Sequence, residues 1–186
     1  LSPEIVQEAK TDKDPNLIIT VDNGISSNEG AALARSLAID VIITDHHLPP
    51  KVLPEANSII NPNLRGCDFP SKNLAGVGVC FYLFSALKTH LVAKGYFEAH
   101  NIQIPDLREL LVLVALGTVA DDVKLDQNNR ILVNEGIKRI RQKLCSKDIL
   151  AILELTKRPI DTLQASDLGF TVAPRINAAG RLSDIS

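Results

Sequence analysis

Two carboxylates and two imidazoles stand directly after short apolar runs in the first third of the chain. Asp22 follows Leu17-Ile-Ile-Thr-Val21, and Asp45, His46 and His47 follow Val41-Ile-Ile-Thr44. A third acidic pair, Asp121-Asp122, closes an apolar run that ends Gly117-Thr-Val-Ala120. Carboxylate oxygen with imidazole nitrogen suits Mn²⁺, or Mg²⁺ where oxygen donors dominate, and no cysteine accompanies these groups to select a thiolate metal. Two such ions ~3.5–4 Å apart, sharing one carboxylate, activate water and stabilise both oxygens of a phosphoester displacement, and Asp22 is placed to be the shared ligand. Each element alone has a plainer reading: Asp22-Asn-Gly24 as a turn, Asp45 as a helix cap before surface histidines, Asp121 as a solvated helix end. Their recurrence after three apolar elements of one short chain favours a common site.

The elements that must position them alternate. A short amphipathic helix over 5–9 precedes a strand at 17–21, rich in β-branched residues and bounded by Asp-Pro-Asn and Asp-Asn-Gly. Residues 27–38 read as a helix, 41–44 and 58–60 as further strands, and the uniformly apolar strands predict a parallel sheet covered on both faces. In such sheets ligands sit beyond the carboxyl ends of the strands, where Asp22 and Asp45 fall. After residue 72 the character turns helical, with helices expected over 74–92, 107–120, 130–141, 146–155 and 162–168. The fold class is α/β: an incomplete parallel sheet with flanking helices, then a helical region and a connector.

With 186 residues and 45% hydrophobic content the chain can bury a core, which excludes a disordered polypeptide. It begins at Leu1 and has no methionine, so more chain is expected upstream. Three scattered cysteines, Cys67, Cys80 and Cys145, fit reduced thiols and a cytoplasmic setting. The apolar run at 110–120 is short of the roughly 20 residues a spanning helix needs, and no membrane association is expected. Residues 1–123 carry net charge −6 and residues 124–186 net +4, an acidic part suited to cations and a basic part suited to phosphates. The cluster Lys138, Arg139, Arg141 and Lys143 reads as a solvated helix face, and 4% aromatic content offers no stacking platform for bases. Gly76 and Gly78 either let backbone N–H groups approach a phosphate or permit close helix packing.

TVDNGI at 20–25, ITDHH at 43–47 and ALGTVAD at 115–121 resemble successive motifs of the DHH phosphoesterase superfamily. NPN at 61–63, FPSKNLAGVGV at 69–79 and APRINAAGRL at 173–182 resemble segments of its single-stranded-DNA exonuclease branch. The resemblance implies that Asp22 bridges two metals, that His46 and Asp121 complete one shell, that Asp45 orients a ligating histidine and that His47 contacts the scissile phosphate or a leaving oxygen. It also implies that Arg175, Asn177 and Arg181 border the nucleic-acid path; interlobe salt bridges are the competing reading for the two arginines. The superfamily's first motif, an Asp-x-Asp, is expected before Leu1, and a second catalytic domain after Ser186. Residues 1–125 would be a partial DHH domain, and 126–186 its helical part and connector. Asp122-Val-Lys124 departs from the apolar residues usual there. The implied activity is Mn²⁺- or Mg²⁺-dependent 5′-to-3′ exonuclease action on single-stranded DNA, in DNA repair and recombination. A monomer is expected, with a single-strand-binding protein or helicase as partners through other domains. A phosphoesterase for short oligoribonucleotides or small phosphates, or a noncatalytic nucleic-acid-binding module, are the competing functions.

Overall fold

The computed structural model describes residues 1–182, with side chains through residue 179. It divides into two compact units, Leu1–Cys80 and Phe81–Ser186. This division follows packing, whereas the expected boundary at 125 follows motif content.

In the first unit, α1 (Pro3–Lys13) starts at the extended N-cap Ser2 with proline in the first turn, where its missing N–H costs nothing, and ends on left-handed Asp14. Then come β1 (Leu17–Val21), α2 (Asn28–Ser36), β2 (Asp40–Thr44) and β3 (Ser58–Ile60). Among the described residues the three strands form one parallel sheet in the order β1-β2-β3. The register sets Val21 opposite Thr44 and Thr44 opposite Ile60, so all three strands end level. Asp22, Asp45 and Asn61 therefore leave the sheet side by side. Val6 of α1, Ala34 of α2, and Ile39, Val41 and Ile43 make the core. These helices cover one face of β1. On the other, Leu17, Ile19 and Val21 are 43, 44 and 43% exposed, while their β2 neighbours Ile42 and Thr44 are half-buried and buried, so among the described residues β1 lacks the expected second cover and β2 does not.

The unit boundary falls within α3 (Gly76–Ala93). At 18 residues and mean hydropathy 1.4 this helix is long and apolar enough to cross a membrane by length and composition, although the apolar run singled out in the sequence lay elsewhere. A single helix of that kind is equally the chemistry of a protein core.

The second unit continues with α4 (Tyr96–Ala99), a 3₁₀ turn at Leu107–Leu110, α5 (Leu111–Ala120), α6 (Gln127–Arg141) and α7 (Lys147–Leu155). Buried Leu132, Val133, Gly136, Ile137 and Ile140 recur at helical spacing on α6. Gly136 lies against α5 so closely that a Cβ there would stand 2.3 Å from the Leu111 carbonyl oxygen and 2.4 Å from the Ala115 methyl. The core continues through Ile149, Leu153, Leu163, Leu168 and Val172. Arg141, read as part of a solvated face, donates to the Leu163 carbonyl from Nη2 at 2.6 Å and Nε at 3.1 Å, and so braces the fold.

The helix expected over 162–168 is broken up. A 3₁₀ turn at Ile160–Thr162 is followed by α8 (Ala165–Asp167), a π turn at Leu168–Val172 and α9 (Ala173–Leu182). The break has a local cause, because the Asp167 carboxylate accepts from the Gln164 N–H at 2.8 Å and starts a new helix there. The segment taken as a connector is the helix α9, which accepts Pro174 in its first turn.

Candidate metal centre

Ligand-capable atoms of Asp22, His46 and His47 all lie within 4.8 Å of one another at the carboxyl end of the sheet. The Asp22 Oδ1 to His46 Nε2 distance is 3.0 Å, and the two imidazoles are tilted by 58° with centroids 4.4 Å apart. Asp22 and His47 are exposed while His46 is half-buried, so the cluster opens to solvent on one side. Oxygen and imidazole donors converging at this spacing fit a divalent cation of the Mn²⁺ or Mg²⁺ type.

Asp22 is held in an unusual backbone. Its N–H donates to the Thr44 carbonyl at 3.0 Å, as if β1 continued by one residue, but its φ of 66° turns the chain sharply away. The turn is locked by the Thr20 hydroxyl on the Asn23 carbonyl at 2.6 Å and the Asn23 amide on the Val21 carbonyl at 3.0 Å. Positive φ falls at Asp22 and Gly24 of this turn. A left-handed non-glycine residue carries backbone strain of order 1–3 kcal/mol, and such residues cluster at functional sites.

Asp45 is 1% exposed and collects four hydrogen bonds. Its Oδ2 accepts from the Ile25 N–H at 2.9 Å, and its Oδ1 accepts from the N–H groups of His46 at 2.7 Å and His47 at 3.1 Å. Oδ1 also lies 2.7 Å from His47 Nδ1. Burial, the largest single influence, raises the Asp45 pKa, yet the bonds from Ile25, His47 and His46 together outweigh it and leave the carboxyl below its ordinary value. With Nδ1 held by the Asp45 carboxylate, Nε2 is the His47 ring nitrogen left to the site. The imidazole that Asp45 orients is thus that of His47.

Gly76 opens α3, and its role is spatial. A Cβ there would meet Asp22 Oδ1 at 2.3 Å, Cβ at 2.4 Å and Cγ at 2.5 Å, so the Asp22 side chain occupies the hollow that glycine leaves. At Gly78 a Cβ would come no closer than 3.1 Å, to the movable Leu74 Cδ2. Gly76→Ala is therefore expected to displace the Asp22 carboxylate and weaken Mn²⁺ binding by about 10–100-fold, the range for groups that orient metal ligands. Gly78→Ala should leave it within about twofold. Titration of both variants with Mn²⁺, followed by electron paramagnetic resonance, checks the contrast.

The remaining expected residues lie in the second unit. Asp121 is the exposed C-cap of α5, followed by left-handed Asp122 with φ of 52°. Arg175 and Asn177 are exposed on α9, two positions apart and so on different faces; Arg175 Nη1 donates to the Thr171 carbonyl at 2.7 Å. The Arg181 side chain lies outside the described residues. Two residues with no role assigned from sequence, Asn61 and Asn63, bond the backbone carbonyls of His47 and His46. Their signal was available: polar residues immediately beyond the third strand end fall in the same crevice.

Residues 2–118 match the model of the DHH family, N-terminal domain. The chain belongs to the DHH family. It is 60% identical over 186 residues to the single-stranded-DNA-specific exonuclease RecJ of Salmonella typhimurium and, equally, to that of Escherichia coli. It covers 32% of the length of each of these relatives. A crystal structure of exonuclease RecJ bound to manganese superposes with a TM-score of 0.72 at 35% identity, over 96% of this chain and 41% of that one. RecJ of Thermus thermophilus in complex with Mn²⁺ gives the same TM-score and identity, over 97% of this chain and 25% of that one. The α/β class expected from the sequence is that of these DHH-family structures.

Proposed function

We propose that this chain holds catalytic metal in an exonuclease that hydrolyses phosphodiester bonds of single-stranded DNA. The observation that carries this reading is the convergence of Asp22, His46 and His47 within 4.8 Å, beside the hollow at Gly76. The names of the DHH-family relatives, and the manganese bound by the related structures, support it. Asp22, His46 and Asp121 would hold Mn²⁺ or Mg²⁺. A divalent cation supplies positive charge to phosphoryl oxygens and acidifies water.

The chain's own residues do the rest. Asp22, fixed by its locked turn, presents its carboxylate without reorganisation. Asp45 holds His47 Nδ1–H and stabilises the imidazolium, so a protonated His47 donates from Nε2 to the leaving oxygen. Asp121 sits at the negative end of α5, where a carboxylate is disfavoured by about 0.3–1 kcal/mol, a cost that a bound cation reverses. Arg175 and Asn177, with Arg181, are assigned to the DNA backbone, with cleavage from 5′ to 3′ in repair and recombination within the cytoplasm.

The test is degradation of long single-stranded DNA, end-labelled at either terminus, by the full-length protein. Nucleotide release from the 5′ end, only with Mn²⁺ or Mg²⁺, is expected. Activity confined to dinucleotides or small phosphates would assign the chain to a different DHH phosphoesterase. Binding without hydrolysis would make it a noncatalytic module.

A further inference from the structure

The segment His46-His47 belongs to neither strand nor helix, so no backbone ladder fixes it. Its backbone polar groups are held by side chains instead. Asp45 Oδ1 takes the N–H groups of both histidines. Their carbonyls are taken from the end of β3: Asn61 Nδ2 donates to the His47 oxygen at 2.8 Å, and Asn63 Nδ2 to the His46 oxygen at 2.6 Å.

The two asparagines are themselves tied together. The Asn63 N–H donates to Asn61 Oδ1 at 2.8 Å, and this fixes which way the buried Asn61 amide points, with its Nδ2 toward His47. Pro62 between them restricts the backbone further. The outer side of the loop is braced by Lys72, whose Nζ donates to the Pro62 carbonyl at 2.7 Å and the Cys67 carbonyl at 2.6 Å. Lys72 is thus spent on backbone oxygens and is a strut.

We propose that Asn61 and Asn63, braced by Lys72, are positioning residues that set the direction from which His46 reaches the metal and His47 the leaving oxygen. The inference rests on the metal reading of the cluster. Four backbone groups of one dipeptide are gripped from two sides, and both imidazoles grow from that dipeptide. A small rotation of either peptide swings a ring nitrogen, at the end of a lever several bonds long, away from a position a ligand must keep within a few tenths of an ångström. A role in stability alone would be served by satisfying the buried Asn61; it would not need Asn63, half-buried, on the neighbouring carbonyl.

The test uses the full-length protein with Asn63→Ala and, as a second variant, Lys72→Met, which slackens the loop from its outer end. Mn²⁺ affinity is titrated by electron paramagnetic resonance and thermal midpoints are measured without metal. Asn63→Ala is expected to weaken Mn²⁺ binding about 10–100-fold, as for other groups that orient metal ligands, with Lys72→Met shifting it the same way by less. Asn63→Gln, one methylene longer, should not rescue. If either folded variant binds Mn²⁺ within twofold of the unaltered protein, whatever its thermal midpoint, the positioning role is wrong. Unaltered protein that binds no Mn²⁺ in the same titration would overturn the metal reading itself, and this inference with it.

Discussion

Asp22→Asn is expected to remove Mn²⁺-dependent hydrolysis of single-stranded DNA, lowering kcat/KM by at least about 100-fold, the upper end of what mere partners of metal ligands cost. The thermal midpoint of the metal-free protein should hold or rise. The side chain fills the hollow at Gly76, which Asn fits equally, and the residue has φ of 66°, a left-handed conformation that Asn adopts readily. Folding and function thus separate at one atom: the amide nitrogen replaces a carboxylate oxygen and only the ligand is lost. Equal losses of activity and thermal stability would show instead that Asp22 is a structural turn residue.

The largest effect on stability is expected at Asp45. Asp45→Ala leaves the N–H groups of Ile25, His46 and His47 without their acceptor, and the site should lose about 3–5 kcal/mol, the cost of breaking a buried charged partnership. For a chain of this size that corresponds to a fall in thermal midpoint of roughly 6–20 °C. The pH dependence has a definite sign. The Asp45 pKa in the folded protein is below its ordinary value of 3.8, so its contribution is fully present above that value and is lost as pH falls through the depressed folded-state value. Thermal melts from pH 7 to pH 2 should therefore show a steeper acid loss in the unaltered protein than in Asp45→Asn. Parallel curves would mean that the carboxylate's charge contributes nothing to the fold.

Both effects were partly legible in the sequence. Asp22, Asp45 and His46 announced themselves because each follows a β-branched apolar run, and a parallel sheet delivers whatever follows its strands to one edge. The level endings of Val21, Thr44 and Ile60 are the structural form of that rule. Less legible were contacts that depend on three-dimensional closeness between short polar residues. Asn61-Pro-Asn63 is marked for the crevice by its place beyond the third strand end, but its turn-like composition does not foretell carbonyls 14 and 17 positions away as partners. Gly76 was weighed as a phosphate approach or a packing position, and the hollow it leaves holds Asp22, a residue 54 positions earlier in the numbering. The exposed face of β1 escaped for a different reason. An apolar strand is the same string of letters whether one face or two are covered, and Leu17, Ile19 and Val21 carry no mark of which. The helix over 162–168 failed because apolar spacing runs on through Leu163, where the chain leaves helical geometry, and the hydrogen bond from Gln164 to Asp167 starts a new helix.

The most direct test of the metal assignment is anomalous diffraction at the manganese edge from crystals of the full-length protein grown with Mn²⁺. An anomalous peak is expected bonded to the Asp22 carboxylate and a ring nitrogen of His46, within about 2.0–2.3 Å of each. A strong peak elsewhere with none at Asp22, or no peak at an ion concentration that supports hydrolysis, would contradict it.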